Sequence, residues 1–217
     1  MKSAYVLVIY LSLFPLLLAN EIHSISFNSS DWKHLKFKSI KSNRVEFEKN
    51  ALLIKVNHSA SPLIYPLPKP SRIKEVELEI NIEGKLNLSD QPQGSIKNDD
   101  FLFRLGLVYE GDKRLNFMQR MIAANWLKQL FELAEEKQGI SEVVFYNVYS
   151  DVRLKNQERR HPQSELFLEK YYLEKKQQIR TKINIDDSRD VLAFWISSDG
   201  DDTKSDFRVE IKSLRYK

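Results

Sequence analysis

The stretch from Val191 to Tyr216 constrains the fold more than any other: VLAFWIS, an acidic turn SDGDDTKSD, then FRVEIKSLRY. In the first arm Val191, Ala193 and Trp195 share one face and Leu192, Phe194 and Ile196 the other, so both faces require cover and the arm belongs in the middle of a sheet. The second arm alternates Phe207, Val209 and Ile211 with Arg208, Glu210 and Lys212, so it requires cover on one face only. Two such runs around an Asp/Gly-rich turn read as a closing β-hairpin.

The same period of two recurs upstream. Val76, Leu78, Ile80 and Ile82 alternate with Glu75, Glu77, Glu79 and Glu83, a pattern that a helix would scatter around its circumference and a strand gathers on one surface. Val45 and Phe47 lead through Lys49–Asn50 into Leu52, Ile54 and Val56, a hairpin with one wet face. Phe101–Tyr109 and Val143–Val148 are apolar on both faces, apart from Arg104 and Gly106 in the first, and read as two more central strands; Gly106 leaves room for a ring or a backbone to lie close. Ser61–Pro70 carries four prolines and reads as a strand end leaving its sheet. Ile22–Phe27 reads as an edge strand, Leu166–Leu173 as a further strand, and Ser150–Ser164 as a charged loop.

One segment has a different period. Leu115, Met118, Ile122, Trp126, Leu130 and Leu133 recur at three- and four-residue steps, with Asp112 placed to cap and Gly139 to terminate, which predicts one amphipathic helix over about residues 113–138. Its wide apolar stripe must be buried, and the outward side of the two-faced strands is the ground available. The fold expected is therefore mainly β: a two-sheet antiparallel jelly-roll sandwich of roughly nine strands, with one inserted helix packed on the outer face of a sheet. If that helix covers the sheet face, ligands are confined to the loops at the sandwich edge.

Lys2 followed by an apolar run to Leu18 and a small Ala19 describes a secretory signal peptide over residues 1–19, leaving a single β-sandwich domain over 20–217. The run is too short, and too interrupted by Pro15, for a membrane anchor of about 20 apolar residues. With no cysteine there is no disulfide, no thiolate metal site and no cysteine nucleophile. A net charge of +4 spread over a chain that is 29% charged describes an ordinary solvated surface, and no motif reads nucleic acid. His23, His34, His58 and His161 stand apart without metal-ligand spacing, and no GxSxG or phosphate-cradling loop occurs. Sequons at Asn28, Asn57 and Asn87 matter only in a eukaryotic secretory route.

Two sets of residues carry candidate chemistry. Asp199, Asp201, Asp202 and Asp206 gather hard oxygens in one loop, as calcium requires, with Asp99 and Asp100 as partners if the loops meet; turn geometry explains the same residues without an ion. Trp32, Tyr65, Tyr146, Tyr149, Tyr171 and Tyr172 lie near strand ends and are candidate stacking platforms for a sugar, while Trp126 and Trp195 read as core.

The segments DDFLFRLGLVYEGD, VVFYNVYSD and VLAFWISSDGDDTKSDFRVEIKSLRY resemble a family of secreted bacterial jelly-roll β-sandwich proteins of unknown function, related to galactose-binding and carbohydrate-binding-module-like domains. The family's paired Asp matches Asp99–Asp100, and its DxDxT turn matches the stretch from Asp199 to Thr203. The resemblance implies a jelly roll and a periplasmic or secreted location, with no established activity. The functional expectation is a non-catalytic exported protein that binds carbohydrate or another envelope polymer. The alternatives are an envelope assembly component that docks through its helix, and a glycan-acting hydrolase or lyase.

Overall fold

Alternation along Glu75–Gly84 becomes a strand that buries Val76, Leu78, Ile80 and Ile82 and turns its glutamates outward. The structure, a computed structural model, describes residues 21–134, 139–162 and 164–217, so the expected leader lies outside it. In chain order the strands are β1 (His23–Ser24), β2 (Lys33–His34), β3 (Arg44–Glu48), β4 (Ala51–Asn57), β5 (Ala60–Ser71), β6 (Glu75–Gly84), β7 (Phe103–Gly111), β8 (Gly139–Tyr149), β9 (Glu158–His161), β10 (Ser164–Glu174), β11 (Gln178–Asn184), β12 (Val191–Asp199) and β13 (Asp206–Tyr216). Two short helices, α1 (Phe117–Ile122) and α2 (Asn125–Phe131), lie between β7 and β8. One sheet has six strands in the order β11-β6-β13-β4-β3, with β1 added to β13; the other has seven in the order β2-β5-β12-β7-β8-β10-β9.

The two sheets face each other across one large apolar cluster that includes Leu52, Ile54, Leu78, Ile80, Phe103, Leu105, Phe194, Val209 and Ile211. The mainly β, two-layer sandwich expected from the sequence is what the chain forms, and β7, β8 and β12 are the central two-faced strands. A second cluster on the outer side of the seven-stranded sheet joins Ile64, Val108, Val143, Phe145, Leu192 and Trp195 to Leu130 of α2. Both faces of β12 are covered as its composition demands.

The connections depart from expectation in several places. β12 and β13 do not pair with each other: β12 lies between β5 and β7, and β13 between β6 and β4, so the acidic turn is an arch that carries the chain from one sheet to the other. β10 runs parallel to β8, one parallel step among antiparallel ones, and β9 in the charged loop adds the far edge. The proline-rich segment is a long strand, not a strand end: β12 pairs along β5, whereas two-residue β2 bonds only at Leu63 and Ile64, leaving the other edge of β5 largely open where missing amide hydrogens cost little.

Among the described residues the single expected helix is two, and the end of its expected span, 135–138, lies outside them. Asn116 caps α1 through a reciprocal hydrogen-bond pair with Gln119, and extended backbone at Ala123 and Ala124 ends it before α2 begins. Nothing in local propensity marks that break, since alanine is the best helix former. Only α2 docks on the sheet, through Leu130, with Trp126, Leu127 and Phe131 packed around it. The apolar residues of α1, Phe117, Met118, Met121 and Ile122, are all exposed. The roof thus covers part of the outer face and leaves the rest open.

Candidate binding cleft

The open part of that outer face is built by strand register. Trp195 on β12 lies opposite Gly106 on β7, Gly106 opposite Phe145 on β8, and Phe145 beside Glu169 on β10. A Cβ at residue 106 would sit 2.8 Å from the Phe145 ring and 3.0 Å from Trp195 Cβ, so glycine leaves the floor on which the Phe145 ring rests beside Trp195. Phe145 and Trp195 meet edge-on with centroids 5.7 Å apart, and Phe167 stands 5.4 Å from Phe145 and 5.8 Å from Trp195. Trp126 of α2 leans over them at 6.1 Å from Trp195 and 6.2 Å from Phe167, and Phe37 closes the row at 5.9 Å from Trp126. Phe37, Trp126 and Phe167 keep part of their surface exposed.

Two residues further along the strands the surface becomes charged. Arg104 is buried with Nε 2.8 Å from Asp199 Oδ2, Nη1 2.5 Å from Glu169 Oε1, and Nη2 donating to the Asp99 carbonyl at 3.1 Å. Its guanidinium lies 4.2 Å above the Phe101 ring. Arg159 continues the network, with Nε 2.7 Å from Glu169 Oε2 and Nη2 2.8 Å from Asp99 Oδ1. His161 Nε2 is 3.3 Å from Asp99 Oδ2, and the Tyr171 hydroxyl donates to Glu169 at 3.1 Å. The rings, with Arg104 and His161 from the network, border a cleft of about 400 Å³, whose acidic rim is Asp99, Asp100, Asp199, Asp201 and Asp202. That volume lies at the lower end of the range for small-ligand sites.

The acidic loops do converge, and their first bond is structural. Asp100 accepts from the Thr203 amide and hydroxyl, each at 2.6 Å, tying the segment before β7 to the arch between β12 and β13. The two motifs that carry the family resemblance therefore hold each other. Burial raises Asp199 to about 7, abetted by Asp100 and Asp201 and opposed by Arg104, and burial beside Asp100 raises Asp201 to about 6. Burial acts to raise Asp99 too, but a hydrogen bond with His161 and the charges of Arg104 and Arg159 outweigh it and hold its carboxyl below the usual range. Asp99, His161 and Glu169 bring ligand atoms within 4.8 Å of one another, a spacing suited to a metal ion. Arg104 and Arg159 already bond both carboxylates of that trio and supply the positive charge.

Of the six residues considered for calcium, five line the cleft; Asp206 begins β13 on the surface, 3.6 Å from His58. The six aromatic candidates disperse. Trp32 is buried in the inter-sheet core against Tyr65, with its Nε1 donating to the Ser26 carbonyl at 2.8 Å. Tyr149 and Tyr171 are buried with Phe101 and Leu154. Tyr146, Tyr171 and Tyr172 border a different cleft, described below. The rings that line the acidic cleft were not among the candidates: Trp126 and Trp195, read as core, and Phe37, Phe145 and Phe167. Trp195 is indeed only 4% exposed, whereas Trp126 is partly open. One signal for this site was visible, the lone arginine in an otherwise apolar strand.

The class these observations define is a two-sheet β-sandwich with an aromatic and acidic cleft on the outer face of its larger sheet. No protein-family model matches the sequence, and no relative is found among curated proteins. Among solved structures, the chain is similar to a family 11 carbohydrate-binding module from Clostridium thermocellum in complex with a β-1,3-1,4-mixed-linked tetrasaccharide, at 8% identity, TM-score 0.42, over 90% of this chain and 94% of that one. A family 29 carbohydrate-binding module in complex with mannohexaose aligns at 10% identity, TM-score 0.38, over 90% of each chain. The sandwich assignment rests on the strand pairing itself.

Proposed function

We propose that the protein is an exported, non-catalytic carbohydrate-binding β-sandwich, and that its ligand lies in the cleft between Trp126 and the acidic rim. The observation that carries this reading is the juxtaposition of partly exposed rings, Trp126, Phe167 and Phe37, with Asp99, Asp201 and Asp202 in one cleft. A pyranose presents an apolar C–H face and a rim of hydroxyls; flat rings take the first and carboxylates accept hydrogen bonds from the second. Glu169 and Asp99 are each held by guanidinium groups, an arrangement that favours anchoring over proton delivery. A hydrolytic reading would use Asp199 and Asp201, raised to about 7 and about 6 at the same rim.

A glycan array followed by calorimetry tests this reading. Trp126→Ala is expected to weaken retained glycans roughly tenfold or more, and although it loses ring contacts on α2 the sandwich should stay folded, since the inter-sheet core is untouched, as circular dichroism would show. Removing calcium with a chelator is expected to leave affinity unchanged, since arginines supply the cluster's positive charge. No retention of any glycan, with or without calcium, overturns the reading, and shortening of a polysaccharide during incubation replaces it with hydrolase or lyase activity. A second reading, an envelope assembly component, is favoured by the exposed apolar face of α1.

A further inference from the structure

A second cleft, of about 440 Å³, opens on the inner side of the same two strands. Alternation produces it. On β8 and β10, Phe145 and Phe167 face outward to the first cleft, with the fully buried Glu169 paired beside Phe145, while Val144, Tyr146, Leu168 and Lys170 face inward and border the second. Asn184 at the end of β11 and the connection after it, with Asp187 and Arg189, form another wall.

Its floor is aromatic and its rim is polar. Tyr146 and Tyr172 meet edge-on with centroids 6.0 Å apart; Tyr146 is buried, but Tyr172 is 49% exposed, so one ring of the pair is offered to solvent. Burial pushes the Tyr146 hydroxyl up to about 12, so it remains a hydrogen-bond donor at neutral pH. The charges around the rim largely pair off. Arg189 lies 2.7 Å from Glu142 and 2.5 Å from Asp187, its guanidinium 4.5 Å over the Tyr109 ring, and Lys170 Nζ is 3.9 Å from Glu158 and 6.0 Å from the centre of the Tyr146 ring. Glu142, Glu158, Asp186 and Asp187 still outnumber Lys170 and Arg189, so the rim disfavours an anionic ligand and offers oxygens and N–H groups to a neutral hydroxylated one.

We propose that this side cleft is a second carbohydrate subsite, which takes a neutral pyranose stacked on the exposed face of Tyr172 with its hydroxyls against Asn184, Asp187 and Lys170. This rests on the carbohydrate reading of the first cleft and extends it: the two subsites lie on opposite faces of one sheet. A short oligosaccharide does not span both, so the protein bridges separate polymer chains and gains avidity on insoluble or branched glycan.

Calorimetry and two-dimensional amide NMR with hexasaccharides of glucose, mannose and galactose test the proposal on the wild type, Trp126→Ala, Tyr172→Ala and Asn184→Ala. The expected result is two sites in the wild type and one in each of Trp126→Ala and Tyr172→Ala. Resonances of β11 and its following connection should stop responding in Tyr172→Ala, and Asn184→Ala should weaken the side site several-fold. Tyr172 and Asn184 are exposed, so thermal melts of both variants should match the wild type. One site that Trp126→Ala abolishes and Tyr172→Ala leaves intact overturns the second subsite while the first stands. One site lost only in Tyr172→Ala overturns the first cleft and keeps this one. No binding to any hexasaccharide overturns both.

Discussion

Arg104 interrupts a run of apolar residues from Phe101 to Tyr109, and its neighbours show why a charge is tolerated there. Burying a guanidinium demands partners, and Asp199, Glu169 and the Asp99 carbonyl provide them. Burial, with Asp100 and Asp201 beside it, outweighs Arg104 at Asp199 and holds it at about 7, and burial beside Asp100 holds Asp201 at about 6. The consequence for stability follows from linkage: both folded values lie above the unfolded carboxylate value near 4, so the folded state binds more protons across that interval. Stability from these groups is complete below about pH 4 and is lost as pH rises through 6 and 7. His34, lowered by burial and by Lys36, acts in the opposite direction near its unfolded value, so the informative quantity is a difference between proteins. Subtracting the Asp199→Asn stability profile from that of the wild type should give a curve that declines between about pH 4 and pH 7, measured as urea midpoints; a flat difference would show that Asp199 keeps an ordinary carboxylate value.

α1 and α2 come from one continuous amphipathic pattern yet have opposite fates. Leu130 of α2 is fully buried against Val108, Val143 and Phe145, so Leu130→Ala should cost about 2–5 kcal/mol. Met121 of α1 is 66% exposed, so Met121→Ser should change stability by less than about 0.5 kcal/mol. Chemical denaturation of both variants checks the pair, and a large loss in Met121→Ser would place α1 in the core. Helical periodicity identifies residues that share a face without saying whether anything covers it. β8 and β10 carry a related lesson: VVFYNV announces a strand covered on both sides, and the structure lines a separate cleft with each side.

Across the whole molecule, the acidic arch is what joins the sheets at this end. The amide of Gly200 donates to the Ser59 carbonyl at 3.0 Å, that of Asp199 to the Phe101 carbonyl at 2.9 Å, and Thr203 donates twice to Asp100. Thr203→Val keeps the shape, removes the hydroxyl bond and leaves a buried carboxylate short of a donor, at a cost of about 1–3 kcal/mol. Thermal unfolding measures the loss; a variant as stable as the wild type would mean that the Thr203 hydroxyl bond adds nothing to this connection. The same arch explains the misread hairpin, because Asp, Gly and Ser suit a turn within one sheet and a crossing between two equally well.

What this sequence determined by itself was the layer architecture: alternation assigns each strand a wet or dry face, and runs apolar on both sides can only lie mid-sheet under cover. Lone Arg104 and permissive Gly106 were legible as exceptions in such a run. Only the tertiary structure decided which strands became neighbours, where the helical segment broke, and that Trp126, Phe167 and five aspartates from distant segments share one cleft. The physical reason is that the side-chain period is local, set by the pleat of a single strand, whereas pairing partners and cleft walls are chosen by burying many faces at once. No single segment carries that information.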